Sequence, residues 1–261
     1  MKNTYALVTG ASQGLGKAIV FDLASRGYNI LLVSLANEQI ETLTKEVQQI
    51  GVDAQYFETD LTKNENVIDL TTWANKFPVS VLVNNAGCGG SIKILDASVD
   101  YINTMIQLNV TATTLITRLL VPNLTQHPKS YILNISSMAA FSPIGYKSVY
   151  PATKKFIEFF SQGLHEELKD QGVSITVVYP GPMRTNEDVT HRISKQNKII
   201  NSGVVELDQV AKMSINGLLR GKKMIIPGKL NKIVRSILAV LPRKSKIHLL
   251  SKAVKKELNA E

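Results

Sequence analysis

The sequence predicts an α/β protein built on a doubly wound, seven-stranded parallel sheet with helices on both faces. Three observations carry this prediction. Short β-branched or Leu-rich runs alternate with longer stretches of helical period, a glycine-rich turn directly follows the first run, and 261 residues with 44% hydrophobic content suit one large domain. Right-handed crossovers between parallel strands place helices on both faces and leave ligands beyond the carboxyl ends of the strands.

The first strand is expected at residues 4–9, where Tyr5-Ala6-Leu7-Val8 forms an apolar run. In the helix that follows, Leu15, Ile19 and Leu23 recur every four residues, and Arg26-Gly27 supplies a glycine stop. Further strands are expected at residues 29–34, 53–58, 79–84, 131–136, 174–179 and 223–226, and further helices at 38–49, 63–75, 99–124, 149–170 and 207–220. Residues 186–205 lack a period and are rich in Asn, Ser, Lys and Glu. A connection of that length suits a lid over a site, or a surface loop with no role.

Composition excludes several classes. Sixteen glycines, nine prolines and 20% charged residues are near globular averages, so a disordered or collagen-like chain is excluded. One cysteine, Cys88, rules out an internal disulfide and any paired-Cys zinc site, and makes a reducing, cytoplasmic setting the expectation. His127, His165, His191 and His248 are scattered without ligand spacing, so no metal is expected. No secretory h-region follows Met1, and no apolar run approaches the ~18–20 residues of a bilayer span, so a soluble or peripheral protein is expected.

Charge is distributed unevenly along the chain. From Leu219 onward there are 12 Lys and Arg against two acids, while the residues before it carry 18 against 19. The net charge of +9 therefore belongs to the C-terminal part.

Two groups of residues suggest chemistry. Thr9-Gly10-Ala11-Ser12-Gln13-Gly14-Leu15-Gly16 stands between the first strand and the first helix, where glycines permit a tight turn and free N–H groups at a helix start favour a pyrophosphate. A glycine-rich turn that binds nothing is the bland alternative. In Tyr150-Pro151-Ala152-Thr153-Lys154, Tyr150 and Lys154 are spaced i and i+4 and share a helix face. An ammonium beside a phenol is expected to lower its pKa, which makes it an acid-base pair for a carbonyl or alcohol oxygen. Ser137 ends the fifth strand and can hold that oxygen. Taken alone, YxxxK also fits a core-edge Tyr beside a solvated Lys.

In order and spacing, Thr9-Gly10-xxx-Gly14-x-Gly16, Asn84-Asn85-Ala86-Gly87, Ser137 with Tyr150-xxx-Lys154, and Pro180-Gly181 with Thr185 resemble the short-chain dehydrogenase/reductase family, over roughly residues 4–228. The resemblance implies a Rossmann-type fold, a nicotinamide cofactor and hydride transfer between its C4 and an alcohol or ketone carbon. It makes Tyr150 the general acid-base, with Lys154 on the nicotinamide ribose and Ser137 orienting the substrate oxygen. Asn109 matches the residue that supports a proton-relay water. Gly10, Ser12, Gln13, Gly14, Leu15 and Gly16 would form the phosphate seat, and Asp60 and Leu61 look like adenine contacts. Asn85, Ala86 and Gly87 look like the cofactor wall after the fourth strand. Thr185 resembles the carboxamide contact, and Pro180 and Gly181 are counted with the cofactor-binding residues.

Nucleotide choice is read at Val33-Ser34-Leu35-Ala36-Asn37, which holds neither an acid for a ribose 2′-OH nor a base for a 2′-phosphate. The missing acid and nearby Lys17 favour NADP(H) over NAD(H). Gln13 and Leu35, however, stand where many NADP-dependent members carry basic residues. The family also associates through its two long helices, here 99–124 and 149–170, so a homodimer or homotetramer is expected.

Residues 229–261 are expected to form a basic amphipathic extension to the oxidoreductase unit of residues 1–228. Leu230, Ile233, Val234, Ile237, Leu238 and Leu241 form one helical stripe before Pro242, and Ile247, Leu250, Val254 and Leu258 a second. This composition suits an anionic membrane surface or an acidic partner, and equally a pair of helices packed on the core. Some members of the family that act on lipophilic ketones carry C-terminal extensions of this general kind, and that resemblance suggests a hydrophobic carbonyl or alcohol substrate. No aromatic stacking run or nucleic-acid motif is present, so nucleic-acid binding is not expected.

Overall fold

A computed structural model of the chain describes residues 4–183 and 203–259. Its strands are β1 (Tyr5–Thr9), β2 (Asn29–Ser34), β3 (Ala54–Glu58), β4 (Val79–Asn84), β5 (Ser130–Ile135), β6 (Val173–Val178) and β7 (Met224–Ile225). All pair in parallel, in the order β3-β2-β1-β4-β5-β6-β7. From β1 the chain winds outward through β2 and β3, then returns to place β4 on the other side of β1. That reversal opens a crevice at the carboxyl ends of β1 and β4, as in Rossmann-type sheets.

The helices are α1 (Gly14–Ser25), α2 (Ile40–Gln48), α3 (Asn64–Ala74), α4 (Val99–Ile106), α5 (Thr113–Leu124), α6 (Val149–Leu168), α7 (Leu207–Leu219), α8 (Lys229–Val240) and α9 (Arg243–Leu258). The helix expected at 99–124 is not continuous α. A π-helical segment, Gln107–Ala112, joins α4 to α5. The helix expected at 149–170 ends at Leu168 and tightens into a 3₁₀ turn, Lys169–Gln171, closed by left-handed Gly172 (φ 75°).

Successive strand residues point to opposite faces, so each strand feeds two cores. Ala6, Val8, Ile30, Leu32, Val81 and Leu133 pack on one side with Ile19 and Leu23 of α1, Leu43 of α2 and Ile215 of α7. Leu7, Leu31, Val33, Leu82 and Ile132 pack on the other with Leu70 of α3 and Ile116 and Leu120 of α5. Covering both faces explains why these strands read as continuous apolar runs rather than alternating ones.

One polar ladder crosses the core near the site. Asn84 Nδ2 donates to Asn134 Oδ1 at 2.8 Å and to Thr117 Oγ1 at 3.0 Å, and Asn134 Nδ2 donates to Ser161 Oγ at 2.8 Å. These bonds tie β4, β5, α5 and α6 together just below the crevice. Partners replace the lost water for both amide nitrogens and for Asn134 Oδ1, whereas the buried Asn84 Oδ1 has no hydrogen-bond partner among the described residues.

The C-terminal helices pack back on the sheet's site end. Asn231 and Leu238 of α8 are buried, and the Arg235 guanidinium lies over the Phe141 ring at 5.7 Å. Ser251 of α9 accepts a hydrogen bond from the Gly145 N–H at 2.7 Å.

Candidate active site

The crevice is built first by backbone geometry. Thr9 Oγ1 accepts from the N–H groups of Asn85 and Ala86, both at 3.1 Å, and donates to the Val83 carbonyl at 3.3 Å. Asn85 Nδ2 in turn donates to the carbonyls of Thr9 and Gly10, each at 3.0 Å. The ends of β1 and β4 are thereby stitched into one rim. Gly10 turns the chain with φ 63°, a conformation that favours glycine, and a Cβ on Gly16 would overlap the Gly10 carbonyl.

Gln13 sits at the N-cap of α1 without a side-chain bond to the first turn. With Leu15 buried beneath, Gly14 and Gly16 begin a helix whose N–H groups are not consumed by a side-chain cap. This cradle fits a dinucleotide pyrophosphate in backbone approach and in charge preference.

Ser12 does something the sequence reading missed. Its hydroxyl donates to the Glu38 carboxylate, from the loop after β2. Glu38 stands one residue beyond Asn37, so the acid follows directly on the stretch that carries the nucleotide-choice signal.

Asp60 and Leu61 follow β3. Asp60 Oδ1 accepts from the Thr62 N–H at 3.0 Å and the Thr62 hydroxyl at 2.7 Å, and these bonds hold the carboxyl below its ordinary range. Leu61 is buried. Beyond β4, Ala86 and Gly87 continue the rim. A Cβ on Gly87 would stand 2.9 Å from Asn109 Oδ1 and 3.2 Å from Lys154 Nζ, so the wall abuts both side chains.

The π-helical segment aims Asn109 inward. Its Nδ2 donates to the Cys88 carbonyl at 2.8 Å and to Thr153 Oγ1 at 3.1 Å, while its Oδ1 accepts from the Cys88 N–H at 2.9 Å. Asn109 thus clamps the loop after β4 to α6. Insertions of this helical type often re-aim a side chain at functional sites.

Ser137 leaves β5 and caps the 3₁₀ turn Met138–Phe141, its Oγ accepting from the Ala139 N–H at 3.1 Å. It also neighbours Tyr150, near the start of α6, and pulls the phenol's pKa down. Lys154, one turn further on, is buried and donates from Nζ to the Ile135 carbonyl at 3.0 Å, with Nζ 5.9 Å from the Tyr150 ring centre. The two side chains do share a face.

Their electrostatics differ from the sequence expectation. Burial raises the Tyr150 pKa and outweighs the lowering by Ser137, while Cys88 adds a smaller push upward. Burial also drives Lys154 down to about 8, with Cys88 opposing it. The ammonium spends its hydrogen bond on Ile135 rather than on the phenol, so desolvation decides both groups. Near neutral pH the phenol holds its proton.

Pro180 and Gly181 follow β6. The Pro180 carbonyl accepts from the Met138 N–H at 3.0 Å, and a Cβ on Gly181 would stand 2.6 Å from Asn231 Nδ2. Asn231 carries no local sequence signal for this contact, because it lies fifty residues further on, in a helix whose visible pattern is its apolar stripe. Thr185, and the 186–205 segment apart from residues 203–205, lie outside the described residues.

Beside Tyr150 lies a narrow cleft of about 10 Å³, lined by Gly90, Ile92, Ile94, Ile102, Met105 and Val149 among others. A Cβ on Gly89 would overlap the Tyr150 ring, so the loop after β4 presses directly on the phenol. Among the described residues, no cluster of three or more His, Cys, Asp or Glu could hold a metal.

A glycine cradle at the switch point of a parallel sheet, beside a Ser-Tyr-Lys-Asn group, places the chain among doubly wound α/β proteins with a nucleotide-type crevice. The chain belongs to the short chain dehydrogenase family, whose profile matches residues 4–197. It is 34% identical over 185 residues to a very-long-chain 3-oxoacyl-CoA reductase of Anas platyrhynchos, covering 67% of this chain and 58% of that protein. It thus spans under two thirds of that relative's length. An uncharacterised oxidoreductase of Staphylococcus epidermidis is 34% identical over 224 residues, covering 83% of this chain and 96% of its own. Among solved structures, a Sphingobium yanoikuyae short-chain dehydrogenase in complex with NADPH superimposes with a TM-score of 0.78 at 26% identity, over 92% of this chain and 97% of that one. A Comamonas testosteroni alcohol dehydrogenase specific for bulky-bulky ketones gives 0.77 at 25% identity, over 93% and 96%.

Proposed function

We propose that the chain is a carbonyl reductase that uses NADPH to convert a lipophilic ketone into a secondary alcohol. The observation that carries this reading is the meeting of Tyr150, Ser137, Lys154 and Asn109 at the carboxyl edge of the sheet, next to the glycine cradle. When bound, the nicotinamide supplies the hydride. Ser137 holds the carbonyl oxygen, and Tyr150 delivers its phenolic proton to that oxygen as charge develops there. Burial keeps the proton on Tyr150 until it is needed. Lys154 holds the nicotinamide ribose and is an ammonium below about pH 8. Asn109 keeps the Cys88 loop in place and supports the water that replenishes the proton.

The cradle of Gly10, Ser12, Gln13, Gly14, Leu15 and Gly16 takes the pyrophosphate, with Asp60, Leu61, Asn85, Ala86 and Gly87 along the adenosine and ribose, and Pro180, Gly181 and Thr185 near the carboxamide. The names of the 3-oxoacyl-CoA and bulky-ketone relatives support a lipophilic substrate. The NADPH complex of the Sphingobium protein supports the nucleotide. Exposed Val99, Phe156 and Phe159 on α4 and α6 suit a homodimer or homotetramer formed through those helices, in the cytoplasm. Residues 1–228 form the oxidoreductase unit, and residues 229–261 its extension.

One observation favours a second reading, with NAD(H) as the nucleotide. The Glu38 carboxylate bonded to Ser12 puts an acid beside the phosphate loop, where it would disfavour a 2′-phosphate. Fluorescence titration with NADPH and NADH decides between the two. Replacing Tyr150 by Phe tests the chemistry: turnover of a ketone panel should vanish while nucleotide affinity changes little. A near-normal rate would overturn the assignment of the proton donor.

A further inference from the structure

The hairpin of α8 and α9 has two faces with different chemistry. Inward, Asn231 and Leu238 of α8 are buried, and Asn231 Nδ2 donates to the carbonyls of Gly203 at 3.1 Å and Pro227 at 2.8 Å. At 100° per residue, Ile233 and Val240 lie on the opposite side of α8 from Leu238, with Ile237 beside them. They are exposed by 56%, 82% and 51%. In α9, Ser251 turns inward to Gly145, and Leu249 lies on the opposite side, 57% exposed. An open hollow of about 580 Å³, lined by Leu241, Lys244, Ser245, His248, Leu249 and Lys252, lies along the outer surface of this hairpin.

Cations surround this apolar ridge. The hairpin, residues 229–258, holds nine Lys and Arg against one acid, Glu257. Among the described residues, none of the nine forms a salt bridge. Exposed Lys and Arg stems can lie along apolar surface while their charges reach outward.

We propose that the outer face of the α8–α9 hairpin docks on an anionic lipid bilayer. The apolar side chains enter the headgroup boundary and the cations pair with lipid phosphates. A second copy presenting the same hairpin is a poor occupant, because it would set another nine cations against these with only Glu257 of each copy to offset them. The inner face meets Gly145 and Gly181, on the loops that flank Tyr150 and Ser137, so docking brings the catalytic end of the sheet to the lipid surface.

Co-sedimentation of the full chain with vesicles tests this without reference to turnover. Binding is expected to vesicles of phosphatidylcholine with phosphatidylglycerol, to fall with added salt, and to be absent with phosphatidylcholine alone. Lys252→Glu with Lys256→Glu should weaken it more than about tenfold. Ile233→Glu with Ile237→Glu should abolish it, while Ile68→Glu, on exposed α3, should change nothing. Circular dichroism and nucleotide quenching confirm that each variant is folded. Equal binding to neutral vesicles, no binding to either, or indifference to the hairpin variants would overturn the proposal. So would a dimer in light scattering that Ile233→Glu dissociates, since the face would then belong to a second copy.

Discussion

Lys154 shows how a buried cation costs stability. Its folded pKa, about 8, lies below the unfolded lysine value near ~10.4, so between those pH values the unfolded chain binds more protons and stability rises with pH. Below pH 8 the buried charge is a standing cost. Lys154→Met should therefore raise the melting temperature at pH 7, by up to about 3 kcal/mol of stability, while ketone reduction is lost. Thermal melts from pH 7 to 10 check the sign: the gain over the native chain should shrink as pH rises. Gly89 acts by shape alone. Since a methyl there would displace the Tyr150 ring, Gly89→Ala should lower kcat at least about a hundredfold, for a misplacement near 1 Å, with nucleotide affinity kept. Glu38→Gln removes the acid beside Ser12. It should tighten NADPH about tenfold, roughly the effect of relieving one partly screened repulsion, and leave NADH nearly unchanged, as titration would show.

Among the elements, the seven strands and the glycine turn were legible because their signals are local. β2 and β4 match the expected residues, and the other strands shift by one residue at their ends. The π-helical segment was not legible. A slipped hydrogen-bond register leaves the apolar period almost intact, so Gln107–Ala112 read as ordinary helix, although Asn109 was placed by resemblance. The mutual pKa effect of Tyr150 and Lys154 was misread for a related reason: spacing shows a shared face but not burial. Asn231 was equally hidden, because its partners at Gly181, Gly203 and Pro227 come together only in the folded chain. Asn231→Ala should leave those carbonyls short of a donor and loosen α8. A loss of about 1–3 kcal/mol in urea unfolding and a rise in KM exceeding the change in kcat are the expected readings.

For the molecule as a whole, the sheet order ranks local stability. β1 and β4 are flanked by strands on both edges and covered on both faces, whereas β3 is an edge strand with Gln55 and Tyr56 exposed. Hydrogen exchange should therefore be slowest in β1, β4 and β5 and fastest in β3 and α9. The bond between Ser251 and Gly145 joins residues 106 positions apart. Because α9 follows every strand in the chain, a ribosome releases the whole sheet before the helix that braces the loop leading to Tyr150. Emerging polypeptide can settle its central layers early, yet the loop leading to Tyr150 gains its brace only once α9 has emerged.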